Sequence, residues 1–421
     1  MTVDAARQSR LSGDLAWLVD LLWGPGVETG EVRVRTDAEV PDGFVEAERF
    51  AVVPSLARPR FLVPLASRRA AWASTIRYNA LRPARVRALR WAVGTAMRAG
   101  VGQRALPGRL SVSVAAGLGP ERREQALIGA HLRSQLGAPG LAMGIGVREP
   151  QPNRKPTLQL FDGDGRPAGY VKVGWSPLTR ALVRNEAEAL RACQAHPPDG
   201  LSVPRLLLAG AWRDLELAVT SPLPTGVRRH RRAERPPVAL SRGVAVMEGT
   251  RQLPLATSPW WRGVRQRIAG STAGDGEIAA TLLRCADEIE RAHGAEPLVF
   301  GRWHGDWVPW NLAWERGRPH AWDWEHSGAD APLGFDLLHW RFQVAFVGQG
   351  RDAAEAAARC ARLAAPDLAR LGLGPAAARA LPRLYLLELY LRGYGMQAAG
   401  AGWNPRFHPR MLQVLAGRGA P

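Results

Sequence analysis

His304, Gly305 and Asp306 stand together, Asn311 follows five residues after the aspartate, and Asp323 opens the trio Asp323-Trp324-Glu325. These are the residue types that phosphoryl transfer needs. One carboxylate must accept or orient the proton of an attacking hydroxyl. An amide oxygen and a second carboxylate must hold Mg²⁺ against the phosphates of a nucleotide. A lone Asp or Asn in a loop more often serves a local turn. The whole set, in this order and spacing, is what argues for chemistry.

Such groups converge only if a short loop is followed by a β-turn-β return. The apolar residues around Leu312-Ala313-Trp314 and Ala321-Trp322 predict the two short strands, with Glu315-Arg316-Gly317-Arg318 as their turn. Further upstream, Leu141–Arg148 and Thr157–Phe161 predict two antiparallel strands, and Asp162-Gly163-Asp164-Gly165 turns into a third, Gly169–Val173, which carries Lys172. A helix over Thr179–Cys193 carries Glu186, and strands at Arg205–Leu208 and Leu215–Val219 lead to Ser221-Pro222-Leu223. The region from 224 to 421 reads as mostly helical, with helices at Gly276–His293, Ala353–Leu363 and Ala376–Tyr394.

The stretch His304–Glu325 resembles the catalytic motif of the aminoglycoside-phosphotransferase-like and choline-kinase-like small-molecule kinases, H-G-D-x-x-x-x-N followed by a D-W-E trio. The resemblance implies a protein-kinase-like, two-lobed α+β fold: a small antiparallel-sheet lobe, then a mainly helical lobe. It makes Asp306 the catalytic base, His304 a brace for its loop, and Asn311 and Asp323 the Mg²⁺ ligands. It makes Lys172 the residue that holds the nucleotide phosphates, paired with Glu186, and the segment Ser221–Leu223 the adenine-reading hinge. Asp336 matches the family's later Asp, which braces the catalytic loop. ATP and Mg²⁺ are the implied cofactors, and a hydroxyl of a small molecule is the implied acceptor.

The phosphate-covering loop, residues 149 to 156, has no glycine. That departs from the protein-kinase pattern. Asn153, Arg154 and Lys155 either cap phosphates through their side chains or form an ordinary polar hairpin loop. Gly144-Ile145-Gly146 is only a fragment of a glycine-rich motif, and the Asp162–Gly165 turn lacks the closing Glu of a calcium loop.

The 421 residues suit two to three domains, and the division expected is a basic α/β domain over 1–137, a nucleotide-binding lobe over 138–223 and a catalytic, acceptor-binding lobe over 224–421. In the first of these, helices are expected at Asp14–Trp23, Arg68–Tyr78, Arg85–Arg98 and Glu121–Leu136, with strands at Glu31–Arg35, Arg49–Val53, Phe61–Pro64 and Leu110–Val114. No apolar run reaches transmembrane length, the first residues lack the apolar core of a signal peptide, and the three cysteines form no C-x-x-C pair. A cytoplasmic protein is the expectation.

The net charge is +18, yet only Lys155 and Lys172 are lysines among 56 basic residues. Arginine and lysine interchange on a solvated face but not where a compact ammonium sits among phosphate oxygens, so the two lysines carry information. From Ala51 to Pro120 there are twelve arginines and no acid. In the helix after Pro83, Val86, Leu89 and Val93 predict an apolar stripe with Arg87, Arg90 and Arg98 elsewhere. This run is either a solvated face or a surface for an anionic membrane or acidic partner; no nucleic-acid reader motif accompanies it. A catalytically silent, kinase-like binding protein working through that surface is the alternative to an enzyme. Between Pro375 and Pro421 stand six arginines and one acid, Glu388. That disfavours a polycationic acceptor and favours a sugar or glycan precursor. Seven of the sixteen tryptophans fall between Trp303 and Trp340, where they either stack on such a ring or pack the core.

Overall fold

The computed structural model describes residues 11, 13–37, 39–77, 81–100, 108–149, 151–230, 233–271 and 276–417. The chain forms two compact units: residues 1–184 with 204–227, and residues 185–203 with 228–421. The fold class is the expected one, a large antiparallel sheet followed by a mainly helical region.

The first unit is built on nine strands: β1 (Val32–Arg35), β2 (Phe44–Val53), β3 (Phe61–Pro64), β4 (Arg109–Ala115), β5 (Ala142–Gly146), β6 (Thr157–Phe161), β7 (Pro167–Gly174), β8 (Leu206–Trp212) and β9 (Leu215–Thr220). Their order is β1-β4-β2-β3-β5-β6-β7-β9-β8, and the registered neighbours are antiparallel. The boundary expected at residue 137 therefore falls inside one sheet, because β3 pairs with β5 across it. One apolar core also crosses it, running from Leu15, Leu18, Val19 and Leu22 on the first helix (Gly13–Glu28) to Leu217 and Val219. The positions on that helix recur every three to four residues, as burial of one face requires.

Local corrections have local causes. Strand β2 begins five residues before the expected Arg49, because a register shift between Glu46 and Glu48 turns the Glu48 side chain into the core. The alternation rule fails across such a bulge. The helix expected over Glu121–Leu136 is two, Pro120–Ala126 and Ile128–Gln135, broken where buried Leu127 is extended at φ −128 and ψ 116. The break leaves the Glu124 carbonyl to accept from Trp212 Nε1 at 2.8 Å. In the helix Ala84–Arg98 the expected stripe is rotated: Leu89 and Trp91 are exposed at 67% and 61%, whereas Gly94 and Met97 are buried. Tyr78, the last residue of the helix expected from Arg68, lies outside the described residues, and that helix is described over Arg68–Ile76.

The second unit carries two three-stranded sheets among helices. One sheet is β10 (Arg228–Arg229), β13 (Leu312–Glu315) and β14 (Arg318–Ala321); the other is β11 (Arg251–Pro254), β12 (Pro297–Trp303) and β15 (Gly328–Pro332). The helices Gly276–His293, Phe335–Gln343, Ala353–Arg370 and Pro375–Met396 supply most of its core. Four of the clustered tryptophans, Trp303, Trp307, Trp324 and Trp340, are buried. Among the described residues no helix is long and apolar enough to cross a membrane.

Candidate active site

Strand β12 ends at Trp303 and releases the loop that carries His304 to Asn311. The loop ends in a single 3-10 turn, Pro309–Asn311, which leads into the β13–β14 hairpin. The hairpin turn is Arg316-Gly317, with φ of 49 and 81. Both are left-handed, as a tight I′ turn requires. Strand β14 therefore begins at Arg318 rather than near Ala321, and Asp323 follows it at φ 72.

Asp306 is gripped from two sides. Asn311 Nδ2 donates to its Oδ2 at 2.8 Å and to its backbone oxygen at 3.1 Å. His339 Nε2 lies 3.0 Å from its Oδ1, and the Tyr385 hydroxyl lies 3.0 Å from His339 Nδ1. Burial alone would raise the Asp306 carboxyl. The His339 hydrogen bond and the charges of Arg392 and His326 outweigh it and hold the group well below the usual carboxylate range. Burial lowers His339, so the neutral ring that donates from Nε2 and accepts the Tyr385 hydroxyl at Nδ1 fits both contacts.

The loop backbone is fixed just as tightly. Asp336, in the first turn of the helix Phe335–Gln343, accepts the His304 and Gly305 amides at 2.8 and 3.1 Å. His339 is three residues further on, so one helix face supplies both braces. Burial pushes the Asp336 carboxyl up to about 7 despite its two amide donors. Arg392 Nη1 donates to the Gly305 carbonyl at 2.5 Å. Gly305 has φ +80, and a Cβ there would stand 2.0 Å from the His326 carbonyl, so both conformation and space demand glycine. His304 is fully buried and burial takes it down to about 4. Its neutral ring bridges the Trp322 carbonyl at 3.1 Å and the Asp306 amide at 3.2 Å.

Three carboxylates gather in the same unit. Glu186, Asp323 and Glu325 each offer an oxygen within 4.8 Å of the others. Like charges this close repel unless a cation or protons intervene, and oxygen donors suit Mg²⁺. The trio works as a staple: Trp324 is fully buried with its ring 4.4 Å from that of His304, and its two acidic neighbours flank it. Asn311 lends its Nδ2 to Asp306, which leaves its Oδ1 as the atom able to bind a metal.

Beside this loop a cavity of about 350 Å³ is lined by Trp260, Trp303, His326, Asp330, Glu388 and Arg392, among others. Two of its acids are matched by arginine: Arg267 grips Glu388 through two hydrogen bonds, and Arg251 pairs with Asp330; Glu325 also lines it.

The remaining expected residues belong to the first unit, apart from Glu186, which is 3% exposed on the helix Pro177–Ala195. Lys172 lies on β7 in register with Thr157 and Ala218. Lys155 Nζ stands 3.5 Å from the Asn153 carbonyl. Ser221 closes a pair of hydrogen bonds with Arg205, accepting its amide at Oγ and donating its own amide to the Arg205 carbonyl. Leu223 follows, half-buried and outside helix and strand. His339, Tyr385, Arg392 and Glu325 were not expected to act. The spacing Asp336-x-x-His339 was the readable signal for the first, and Tyr385 and Arg392 had none.

Neither a protein-family model nor a curated protein matches the sequence. Among solved structures, the chain is similar to a thermostable mutant of aminoglycoside phosphotransferase APH(4)-Ia in ternary complex with ADP and hygromycin B. That match is 15% identical, covers 69% of this chain and 98% of the other, and has a TM-score of 0.44. An amicoumacin kinase in complex with AMP-PNP, Ca²⁺ and Ami matches at 14% identity over 72% of this chain and 96% of its own, with a TM-score of 0.46. A glucosamine kinase matches at 16% identity over 72% of this chain and 83% of its own, with a TM-score of 0.34.

Proposed function

We propose that this protein is an ATP- and Mg²⁺-dependent phosphotransferase that moves the γ-phosphoryl group to a hydroxyl of a sugar or glycan precursor. The observation that carries the proposal is Asp306, held at both carboxylate oxygens by Asn311 and His339 on a loop braced by Asp336.

A carboxylate kept ionised at neutral pH is a weak base, so its work is to orient the acceptor hydroxyl rather than to strip it early. A loose phosphoryl-transfer transition state asks for that, since little proton transfer is needed before the P–O bond breaks. Asp323 and Asn311, with Glu186 and Glu325 nearby, are the residues that would hold Mg²⁺; the metal supplies charge neutralisation of the phosphates. Lys172 would position the nucleotide, with Lys155 at the loop and the Ser221–Leu223 segment at the base. The cavity beside the loop fits a sugar by chemistry: indole faces for the ring, and carboxylate–guanidinium pairs that offer both acceptors and donors to hydroxyls. Because Glu388 and Asp330 are already paired with arginines, a neutral polyol suits the cavity better than a polycation.

The test is ATP consumption in the presence of Mg²⁺, screened against monosaccharides, disaccharides, amino sugars, choline and nucleosides. A sugar-dependent rate that disappears in Asp306→Asn is the expected result. No acceptor-dependent consumption with any sugar would remove the sugar assignment. Consumption that survives in Asp306→Asn would remove the reaction.

A further inference from the structure

The helix Ala84–Arg98 breaks the usual rule of burial. It exposes Leu89 and Trp91 and turns Arg90 inward, with the guanidinium over the Phe61 ring at 5.4 Å from its centroid. Gly94 on the same face permits the close approach, since a Cβ there would stand 2.3 Å from Thr75 Oγ1. An amphipathic helix that gives an inward position to arginine while wasting a leucine and a tryptophan on solvent is serving something other than packing.

Beneath it lies a cavity of about 700 Å³, within the first unit and within the range of small-molecule sites. Six cations line it: Arg60, Arg82, Arg90, Arg148, Arg154 and Lys155. The first three come from the acid-free run Ala51–Pro120, and the last three from the loop between β5 and β6. Glu149 is the one carboxylate among the described residues that line it. Among those residues, Arg60, Arg82, Arg148 and Arg154 form no ion pair with any carboxylate. Burial and then the charges of Arg82 and Arg154 weaken the hold of Arg148 on its proton, and burial and then Arg82 do the same at Arg90. Mutual repulsion of this kind costs stability unless an anion relieves it.

A second feature is independent of charge. Gln159, on β6, lines the same cavity at 8% exposure, and its Oε1 is buried without a hydrogen-bond partner among the described residues. A buried amide oxygen calls for a donor. The aromatic rings of Trp17, Phe61 and Tyr170 complete the wall.

We infer that this cavity binds a small molecule carrying several phosphoryl groups together with a hydroxyl or amino group that donates to Gln159. Guanidinium forks match phosphate oxygens in pairs, which favours phosphoryl groups over isolated carboxylates. A concave site of this volume admits a small polyanion and excludes a nucleic-acid strand. The chemistry is shared by two sources: the nucleotide donor of the proposed reaction, or a separate phosphorylated ligand. All of its residues lie in the first unit, whereas Asp306 lies in the second.

The test is calorimetric titration of the full chain with inorganic tripolyphosphate and with ADP, without turnover. Both are expected to bind the wild type, and more weakly as salt rises. Arg82→Ser combined with Arg148→Ser is expected to weaken tripolyphosphate at least about tenfold. Arg87→Ser, exposed on the same helix but outside the cavity, should bind as the wild type does. Gln159→Leu should weaken ADP and spare tripolyphosphate, which has no such donor. Tripolyphosphate displacing ADP assigns the cavity to the nucleotide, and simultaneous binding assigns it to a second phosphorylated ligand; each supports the site. Failure of both probes to bind the wild type, or undiminished binding in the double variant, would overturn it. Asp306→Asn should bind tripolyphosphate normally, so loss of the proposed reaction and loss of this site are told apart.

Discussion

Around Asp306 in the second unit, each polar group is met at short range by a hydrogen-bond partner: Asn311 and His339 at the carboxylate, Asp336 at the loop amides, Arg392 at the loop carbonyl. Around Arg90 in the first unit, cation faces cation across a cavity with one carboxylate among the described residues that line it. The contrast separates two kinds of site. A reacting group must be held in place before substrate arrives, so its partners are built into the protein. A polyanion brings its own charge, so its partners are left for it to satisfy. Removing one group should therefore be catastrophic in the first case and graded in the second.

The largest expected effect is at the closed site. Asp306→Asn should lower turnover by about 10²- to 10⁴-fold, the usual worth of a positioned general base, with nucleotide affinity barely changed. Steady-state kinetics of the variant with the best acceptor is the measurement. Turnover within a few-fold of the wild type would remove Asp306 from the chemistry.

Lys172 tests which side of the contrast the strand β7 belongs to. It stands two positions from Tyr170, so the two side chains leave the same face of the sheet. If the site there is graded like the arginine cavity, Lys172→Arg should matter little. If a compact ammonium sits among phosphate oxygens, catalytic efficiency should fall at least about tenfold, or roughly 1.4 kcal/mol. We expect the fall, and folding stability within about 1 kcal/mol of the wild type. Full kcat/KM in Lys172→Arg, beside an inactive Lys155→Arg, would place the nucleotide on the other lysine.

A smaller effect is expected one step removed from the reacting group. Tyr385 reaches Asp306 only through His339, and it acts as a positioning residue. Tyr385→Phe should lower kcat a few-fold, about 1 kcal/mol for one lost hydrogen bond, with KM unchanged. It should also raise the lower limb of the pH–rate profile, because His339 is then free to turn from Asp306 and its carboxyl moves back toward its ordinary value. A profile superimposable on the wild type would reduce Tyr385 to packing.

How much of this could be read from the chain differs between the two sites for a physical reason. Asp306, Asn311 and Asp323 flank one hairpin, so local spacing singles them out, and the strand of Lys172 and the helix Gly276–His293 are where periodicity puts them. Tyr385 and Arg392 approach from a helix some eighty residues away, and nothing local marks a residue whose role is set by long-range packing. The arginine cavity was half visible. The acid-free run stands out, but periodicity puts the stripe of its helix on Leu89, because it assumes that leucine turns inward and arginine outward. Ligand binding reverses that assumption. The sheet that runs across residue 137 is hidden for a similar reason: strand pairing between β3 and β5 is non-local, and composition does not report it.

The last effect falls on stability and leaves turnover aside; it concerns the one carboxylate that the first unit buries among the described residues, without the braces given to Asp336. Glu48 faces the core beyond the β2 bulge, accepts Trp23 Nε1 at 3.2 Å and has Arg133 at 4.0 Å. Burial raises its carboxyl from 4.5 to about 7, against the opposing pull of Arg133 and the indole. The folded state therefore holds a proton that the unfolded chain has released across this window. Stability from this group is complete below the unfolded value and is lost as pH rises toward about 7, at roughly 1.4 kcal/mol per pH unit at most. Glutamine keeps an oxygen for Trp23 and carries no charge at any pH. Glu48→Gln should match the wild type near about pH 5 and exceed it near about pH 8, flattening the dependence of the urea midpoint on pH. Asp336 spans the same range in both proteins and supplies a common background. Parallel curves for the two proteins would mean that Glu48 meets water or a counter-charge in solution, and the first unit would then hold this buried acid as securely as the second holds its own.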